Sequence, residues 1–200
     1  MPVQNVIFDM GNVLIRFDPE HFVQRENLSD PADAALLLNK VFRSPDWPRL
    51  DSGELTEEEL EEKVCPALPE RLRPTAHRLI YRWEKPVEPI PGMAGIVADC
   101  KARGWGVYLL SNASVRQPEY WPDIPGSEWF DGAVISALER CVKPMPEIYR
   151  RLLDRYGLDP ADCVFIDDGQ PNVDAAIRLG MRGICFSGDT DALRRALFDL

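Results

Sequence analysis

The sequence has little of what several function classes require. Only two histidines occur in 200 residues, His21 and His77. Both lie outside every motif described below, so neither is chosen as a general base. The five cysteines, Cys65, Cys100, Cys141, Cys163 and Cys185, show no CxxC or mixed Cys/His spacing. That argues against a disulfide framework and against a zinc site, and most are expected to be small buried apolar residues. Positive charge is scarce: 23 Lys and Arg face 33 Asp and Glu, for a formal net charge of -10. A nucleic-acid backbone needs clustered cations, so nucleic acid is not an expected partner, although a few converging cations and a metal ion can still hold a small phosphate. No run approaches the roughly 18 apolar residues of a membrane span, and the start MPVQNVIFDM lacks a basic leader pattern. No membrane contact and a soluble, cytoplasmic protein are therefore expected. There is no internal repeat or low-complexity tract, and oligomeric state leaves no sign in the sequence.

What is present reads as a globular chain: 45% of residues are hydrophobic, enough for one core or for a core with an insert. Short apolar runs at 6–8, 106–110, 133–135, 163–166 and 183–186 predict strands buried on both faces. Stretches 96–103, 148–156 and 173–179 carry helical spacing and are followed by Gly104, Gly157 and Gly180, where a helix C-cap belongs. This alternation predicts an α/β fold, a Rossmann-like parallel sheet with helices on both faces. It breaks once. Residues 18–90 show no convincing strand and read as helices at 31–42, 57–64 and 71–83, the middle one opened by a capping box of Thr56 and Glu59. The expected organisation is a core of 1–17 and 91–200 with a helical cap of 18–90 inserted after the first strand, a lid-like subdomain. The stretch KPVEPIPG at 85–92 is a plausible stiff hinge.

The chemistry-bearing residues fall at strand ends. Asp9 follows the first predicted strand, Ser111 and Asn112 the second, and Asp167 and Asp168 the fourth, while Lys143 precedes Pro144 at the mouth of a helix. Open parallel sheets bind ligands at that edge. Taken singly, each has a bland reading: an acid closing a strand, an acidic helix start, turn chemistry, a solvated lysine. Together they bring three carboxylates, which repel unless a cation neutralises them, and all-oxygen ligation suits magnesium.

With these residues in place, the chain resembles the haloacid dehalogenase-like (HAD) hydrolase superfamily. The resemblance rests on FDMGNVL (8–14), LLSNAS (109–114), VKP (142–144) and FIDDGQPN (165–172), in that order, and the helical insert looks like that superfamily's C1 cap. It implies that Asp9 is the nucleophile, forming an aspartyl-phosphate. It also implies that Asp9, the Gly11 carbonyl and Asp168 ligate magnesium with Asp167 beside them. Ser111 and the amides after Asp9 would bind phosphoryl oxygens, Lys143 would bridge nucleophile and phosphate, and Asn112 and Asn172 are second-tier candidates. Two departures stand out. Many members carry a second Asp, as general acid and base, where this chain has Gly11; the DxGN variant is shared with a bacterial α-D-glucose-1-phosphate phosphatase group. Arg140 stands where related sequences usually have glycine.

The expected function is magnesium-dependent hydrolysis of a phosphate monoester on a small phosphorylated metabolite, a sugar phosphate first. A sugar 1-phosphate expels a relatively acidic hydroxyl, which would ease the loss of the second Asp. The alternatives are a metal-free haloacid dehalogenase and a catalytically silent binding or regulatory protein. In the cap, Trp47, Arg49, Asp51 and Glu54 are candidates for facing the substrate, with Trp47 and Glu54 chosen. Asp51, Glu54 and Arg140 are the groups to consider for the missing proton donor. The acidic run Glu57, Glu58, Glu59, Glu61 and Glu62 reads as a solvated helix face, and Trp121 and Trp129 as loop packing.

Overall fold

The computed structural model describes residues 3–199. Five strands, β1 (Asn5–Phe8), β2 (Gly106–Ser111), β3 (Gly132–Ile135), β4 (Cys163–Asp167) and β5 (Arg182–Cys185), form one sheet in the order β3-β2-β1-β4-β5. Every pairing is parallel, with Phe8 opposite Leu109 on one side and Ile166 on the other. The predicted α/β class and all five predicted strands are present. The last is shifted by one residue, because Phe186 turns into the core beyond the strand end, and, as an edge strand, it is only partly buried and not covered on both faces as expected, with Cys185 exposed.

Period-two alternation divides the interior into two layers. Val6, Phe8, Val107, Leu109, Val164 and Ile166 face one layer, covered by α6 (Met93–Ala102) and α9 (Thr190–Phe198). Ile7, Leu110, Val134 and Phe165 face the other, covered by α7 (Pro146–Tyr156) and α8 (Gln170–Arg178). Gly104, Gly157 and Gly180 all take positive φ, at 77°, 64° and 95°, as helix ends require. Because β2 and β4 flank β1 on opposite sides, the connections diverge at the β1/β4 boundary. That switch point opens a crevice at the C-terminal ends of both strands, and Asp9 and Asp167 sit there.

Between β1 and β2 the chain builds α1 (Pro19–Gln24), α2 (Pro31–Lys40), α3 (Trp47–Asp51), α4 (Glu57–Val64) and α5 (Arg73–Tyr81). A separate buried cluster drawn from residues 22–80 holds them together. The capping box is formed: Glu59 N–H donates to Thr56 Oγ1 at 3.2 Å and Thr56 N–H to Glu59 Oε2 at 2.9 Å. α1 and α2 start alike, with a capping Asp18 or Asp30 followed by proline. α1 and α3 have no counterpart among the predicted helices, since at 6 and 5 residues they are too short to show a period. The predicted helix 31–42 ends at Lys40, with Val41 and Phe42 buried just past it, and the predicted 71–83 is α5 preceded by a 3-10 turn at Glu70–Leu72.

The two crossings into and out of this insert run antiparallel. Arg16 N–H donates to Glu88 O at 2.8 Å, Ile90 N–H to Leu14 O at 2.9 Å, and Ile15 lies opposite Pro89. The proline-rich stretch is thus half of a two-stranded ribbon, fixed further by Glu88 pairing with His21 and Arg25 at 2.8 and 3.0 Å. Among the described residues, no helix is long and apolar enough to cross a membrane.

Candidate active site

At the switch point a buried lysine lies between two carboxylates. Lys143 Nζ is 2.7 Å from Asp9 Oδ1 and 2.7 Å from Asp167 Oδ2, with the lysine side chain 1% and the Asp167 side chain 0% exposed. Asp167 is held from its other oxygen by Gly169 N–H at 2.8 Å and Asn172 Nδ2 at 2.9 Å. Lys143 is held through its backbone: its N–H donates to Asn112 Oδ1 at 2.8 Å, and Asn112 Nδ2 donates to its carbonyl at 3.1 Å. The Asn112 amide, expected at the phosphate, therefore clasps the lysine segment, and Asn172 orients Asp167. The Met10 amide, expected to meet a phosphoryl oxygen, donates to Asp9 Oδ1 at 2.7 Å.

One ammonium against two buried carboxylates leaves an excess negative charge. Burial lifts the Asp9 carboxyl to about 7, Lys143 opposing and Asp167 adding repulsion. Burial alone would pull the Lys143 ammonium down, yet the two carboxylates hold it above its ordinary value. Asp168 is exposed, and its Oδ2 accepts only from Asn12 Nδ2, at 3.1 Å, among the described residues. One oxygen from each of Asp9, Asp167 and Asp168 lies within 4.8 Å of the others. The bridge between Gly11 and Ile15 is closed by Asn12 N–H and Met10 C=O, so the Gly11 carbonyl takes no part in it. This hard, oxygen-only donor set with uncompensated negative charge fits a divalent cation such as magnesium.

Ser111 ends β2 with its Oγ buried and without a hydrogen-bond partner among the described residues. A buried hydroxyl left unpaired is costly, and an arriving phosphoryl oxygen would satisfy it. Arg140 is exposed and does not line the cavity; its φ of 53° explains why glycine suits that position.

Above these groups the insert roofs a cavity of about 230 Å³. Its floor includes Asp9, Gly11, Asn112, Ser114 and Asp168, and its roof Phe17, Trp47, Asp51, Glu57, Ile80 and Trp83. Trp47 both lines the cavity and packs on Phe42, with ring centroids 4.6 Å apart. Glu54 is elsewhere: it is exposed, pairs with Arg49 at 3.1 Å and does not line the cavity. Arg49 is likewise tied to Asp46, at 2.7 Å. Glu57 corrects the reading of its run as solvated. It is 5% exposed, lines the cavity and accepts a hydrogen bond from Ser114 Oγ. The missed signal is phase, since Glu57 shares the buried face of α4 with Leu60 and Val64 at the i, i+3, i+7 spacing of a core stripe. His21 and His77 pair with Glu88 and Glu61 within the insert. Trp121 packs edge-on to Phe130, while Trp129 is 46% exposed.

The roof is fastened to the floor. Ser136 Oγ donates to Asp51 O at 2.5 Å, Arg116 Nη1 to Tyr81 O at 2.5 Å, and Ser114 Oγ to Glu57. Gly53, at φ 71°, presses so closely on the turn after β3 that a Cβ would fall 2.3 Å from Ala137 O. Gly53→Ala is therefore expected to destabilise the protein well beyond Gly104→Ala, which has similar φ, 77°, and open space around it. The control should cost about 1–2 kcal/mol from backbone strain alone. Equal urea midpoints for the two variants would show that Gly53 is not a docking point.

The profile of the haloacid dehalogenase-like hydrolases matches residues 3–180. A flavin mononucleotide hydrolase of Arabidopsis thaliana is 47% identical over 111 residues, 56% of this chain but only 45% of that protein. The chain thus spans less than half of that relative's length. A sesquiterpene phosphatase of Aspergillus oryzae is 26% identical over 89% of this chain and 87% of its own. A HAD family enzyme of Bacteroides thetaiotaomicron, solved as a magnesium complex, shares the fold with a TM-score of 0.73 at 21% identity, covering 98% of this chain and 100% of that one.

Proposed function

Since this chain belongs to the haloacid dehalogenase-like hydrolase family, we propose that it is a magnesium-dependent phosphatase acting on a small phosphate monoester through Asp9. The observation that carries this reading is the buried Lys143 set between Asp9 and Asp167, with Asp168 across the crevice. In it, an Asp9 oxygen attacks phosphorus and takes the phosphoryl group, which water then removes. Lys143 stabilises charge on the transferring oxygens, and Ser111 donates a hydrogen bond to one of them. Asp9, the Gly11 carbonyl and Asp168 would hold magnesium, Asp167 serving as the anchor of Lys143. Bound there, the ion would neutralise the carboxylates and polarise the phosphoryl group. Segment 18–90 serves as the cap domain over the core formed by 1–17 and 91–200, in a cytoplasmic enzyme.

The named substrates of the two phosphatase relatives differ in kind, so the substrate reading rests on the cavity. Trp47 and Trp83 give the cavity aromatic surface that can pack on the C–H surface of a sugar, and Asp51 adds a carboxyl with no hydrogen-bond partner among the described residues. These support a sugar phosphate. The dehalogenase alternative is disfavoured by the three clustered carboxylates, which would repel an anionic substrate in the absence of a cation.

A phosphate-release screen with and without magnesium tests the reading. Chelation is expected to abolish activity; full turnover in excess chelator would overturn the metal assignment and restore the dehalogenase alternative. By titration calorimetry, Asp168→Asn should weaken magnesium binding more than Asp167→Asn does, and the reverse order would exchange their roles.

A further inference from the structure

We propose that Asp51, delivered by the cap, is the proton donor and acceptor of the reaction, filling the role for which Gly11 provides no side chain. This rests on the phosphatase reading above. The titratable side chains lining the cavity are Asp9, Asp51, Glu57, Tyr120 and Asp168. On that reading Asp9 is the nucleophile and Asp168 would help to hold the cation. Glu57 already accepts the Ser114 hydroxyl, and burial pushes the Tyr120 phenol far above its ordinary value, too tightly held to act as an acid near neutral pH. Of the carboxyl groups that line the cavity, only that of Asp51 has no hydrogen bond or ion pair among the described residues.

Its position is fixed by the core, not by the cap alone. Ser136 Oγ donates to the Asp51 carbonyl at 2.5 Å, and two residues on Gly53 packs against Ala137. The Asp51 carboxyl thereby shares the cavity with Asp9 while α3 is docked on the turn after β3, so its part in the reaction depends on that docking. Its protonation suits an acid. Burial, with repulsion from Asp9 and Glu57 and against the pull of Lys143, lifts Asp51 to about 7. Nothing forces this arrangement sterically, since a Cβ on Gly11 would meet only Phe17 Cβ, at an ordinary 3.5 Å.

The steps balance. As the Asp9 oxygen–phosphorus bond forms and the ester oxygen–phosphorus bond breaks, the departing oxygen takes the Asp51 proton and leaves as an alcohol. The Asp51 carboxylate then takes a proton from water as its oxygen bonds to phosphorus. The Asp9–phosphorus bond breaks, phosphate is released, and both carboxyl groups return to their starting states.

The test compares leaving groups in the full-length, magnesium-loaded protein. Nitrophenolate departs without a proton, whereas the alkoxide of a sugar 6-phosphate needs one. In Asp51→Asn, the first step measured by rapid quench is expected to fall about 10²–10⁴-fold for the sugar phosphate. The nitrophenolate burst should fall by less than about tenfold and be followed by slow dephosphorylation. In the unaltered protein the first step should carry a solvent deuterium isotope effect with the sugar phosphate and little with the aryl ester, a readout independent of the variant's folding. Equal losses for both leaving groups, or no isotope effect with the sugar phosphate, would overturn the assignment of Asp51 while leaving the phosphatase reading intact. Absence of phosphate release from every ester by the unaltered protein would instead remove the reading on which it rests.

Discussion

Asp9→Asn is expected to reduce turnover by about 10³-fold or more, the scale on which removing a covalent nucleophile acts, while the protein stays folded. The exchange is nearly isosteric, and the amide can still accept from Met10 N–H and Lys143. Stability gives an independent check with a definite sign. Burial raises Asp9 to about 7 in the folded chain, so its ionisation opposes folding. The stability present at pH values below the ordinary carboxyl range is lost as pH rises through about 7. Asn has no such loss. Without magnesium, Asp9→Asn should therefore melt higher than the unaltered protein at pH 8, the gap narrowing toward pH 5. Turnover within tenfold of the original would place the nucleophile elsewhere, and a variant that melts lower at pH 8 would contradict the charge balance described for the site.

Lys143→Met should be the most damaging single change to stability. The ammonium is the cation between two buried carboxylates, and breaking a buried ionic cluster from one side typically costs about 3–5 kcal/mol, because the remaining charges stay unpaired. Activity should be lost as well. Urea unfolding of the metal-free variant measures this, and an unchanged midpoint would mean that Asp9 and Asp167 do not depend on Lys143 for their compensation. Magnesium should restore part of the loss, since it supplies charge to the same carboxylates.

Much of the fold was legible because local signals agreed. Val6, Ile7 and Phe8 form a run buried on both faces, and Gly104, Gly157 and Gly180 mark helix ends by needing positive φ. The motif residues were legible as strand ends. What each side chain touches was not. Asn112 and Lys143 are 31 residues apart and Asp51 and Ser136 are 85 apart, and no spacing rule connects segments that meet only after the sheet is assembled. Glu57 departs from its expected exposure for a different reason: the local charge run hides its phase with Leu60 and Val64. Closeness to the capped helix points to Glu54, yet beyond the turn at Gly53 it pairs with Arg49, while Asp51 lines the cavity.

The central claim is that a covalent phosphoryl group on Asp9 lies between substrate and product. The stereochemical course at phosphorus tests it most directly, using an aryl phosphate made chiral with oxygen isotopes and a chiral acceptor alcohol. Two in-line displacements through Asp9 predict net retention of configuration. Inversion would mean a single direct attack on phosphorus, and it would contradict the account.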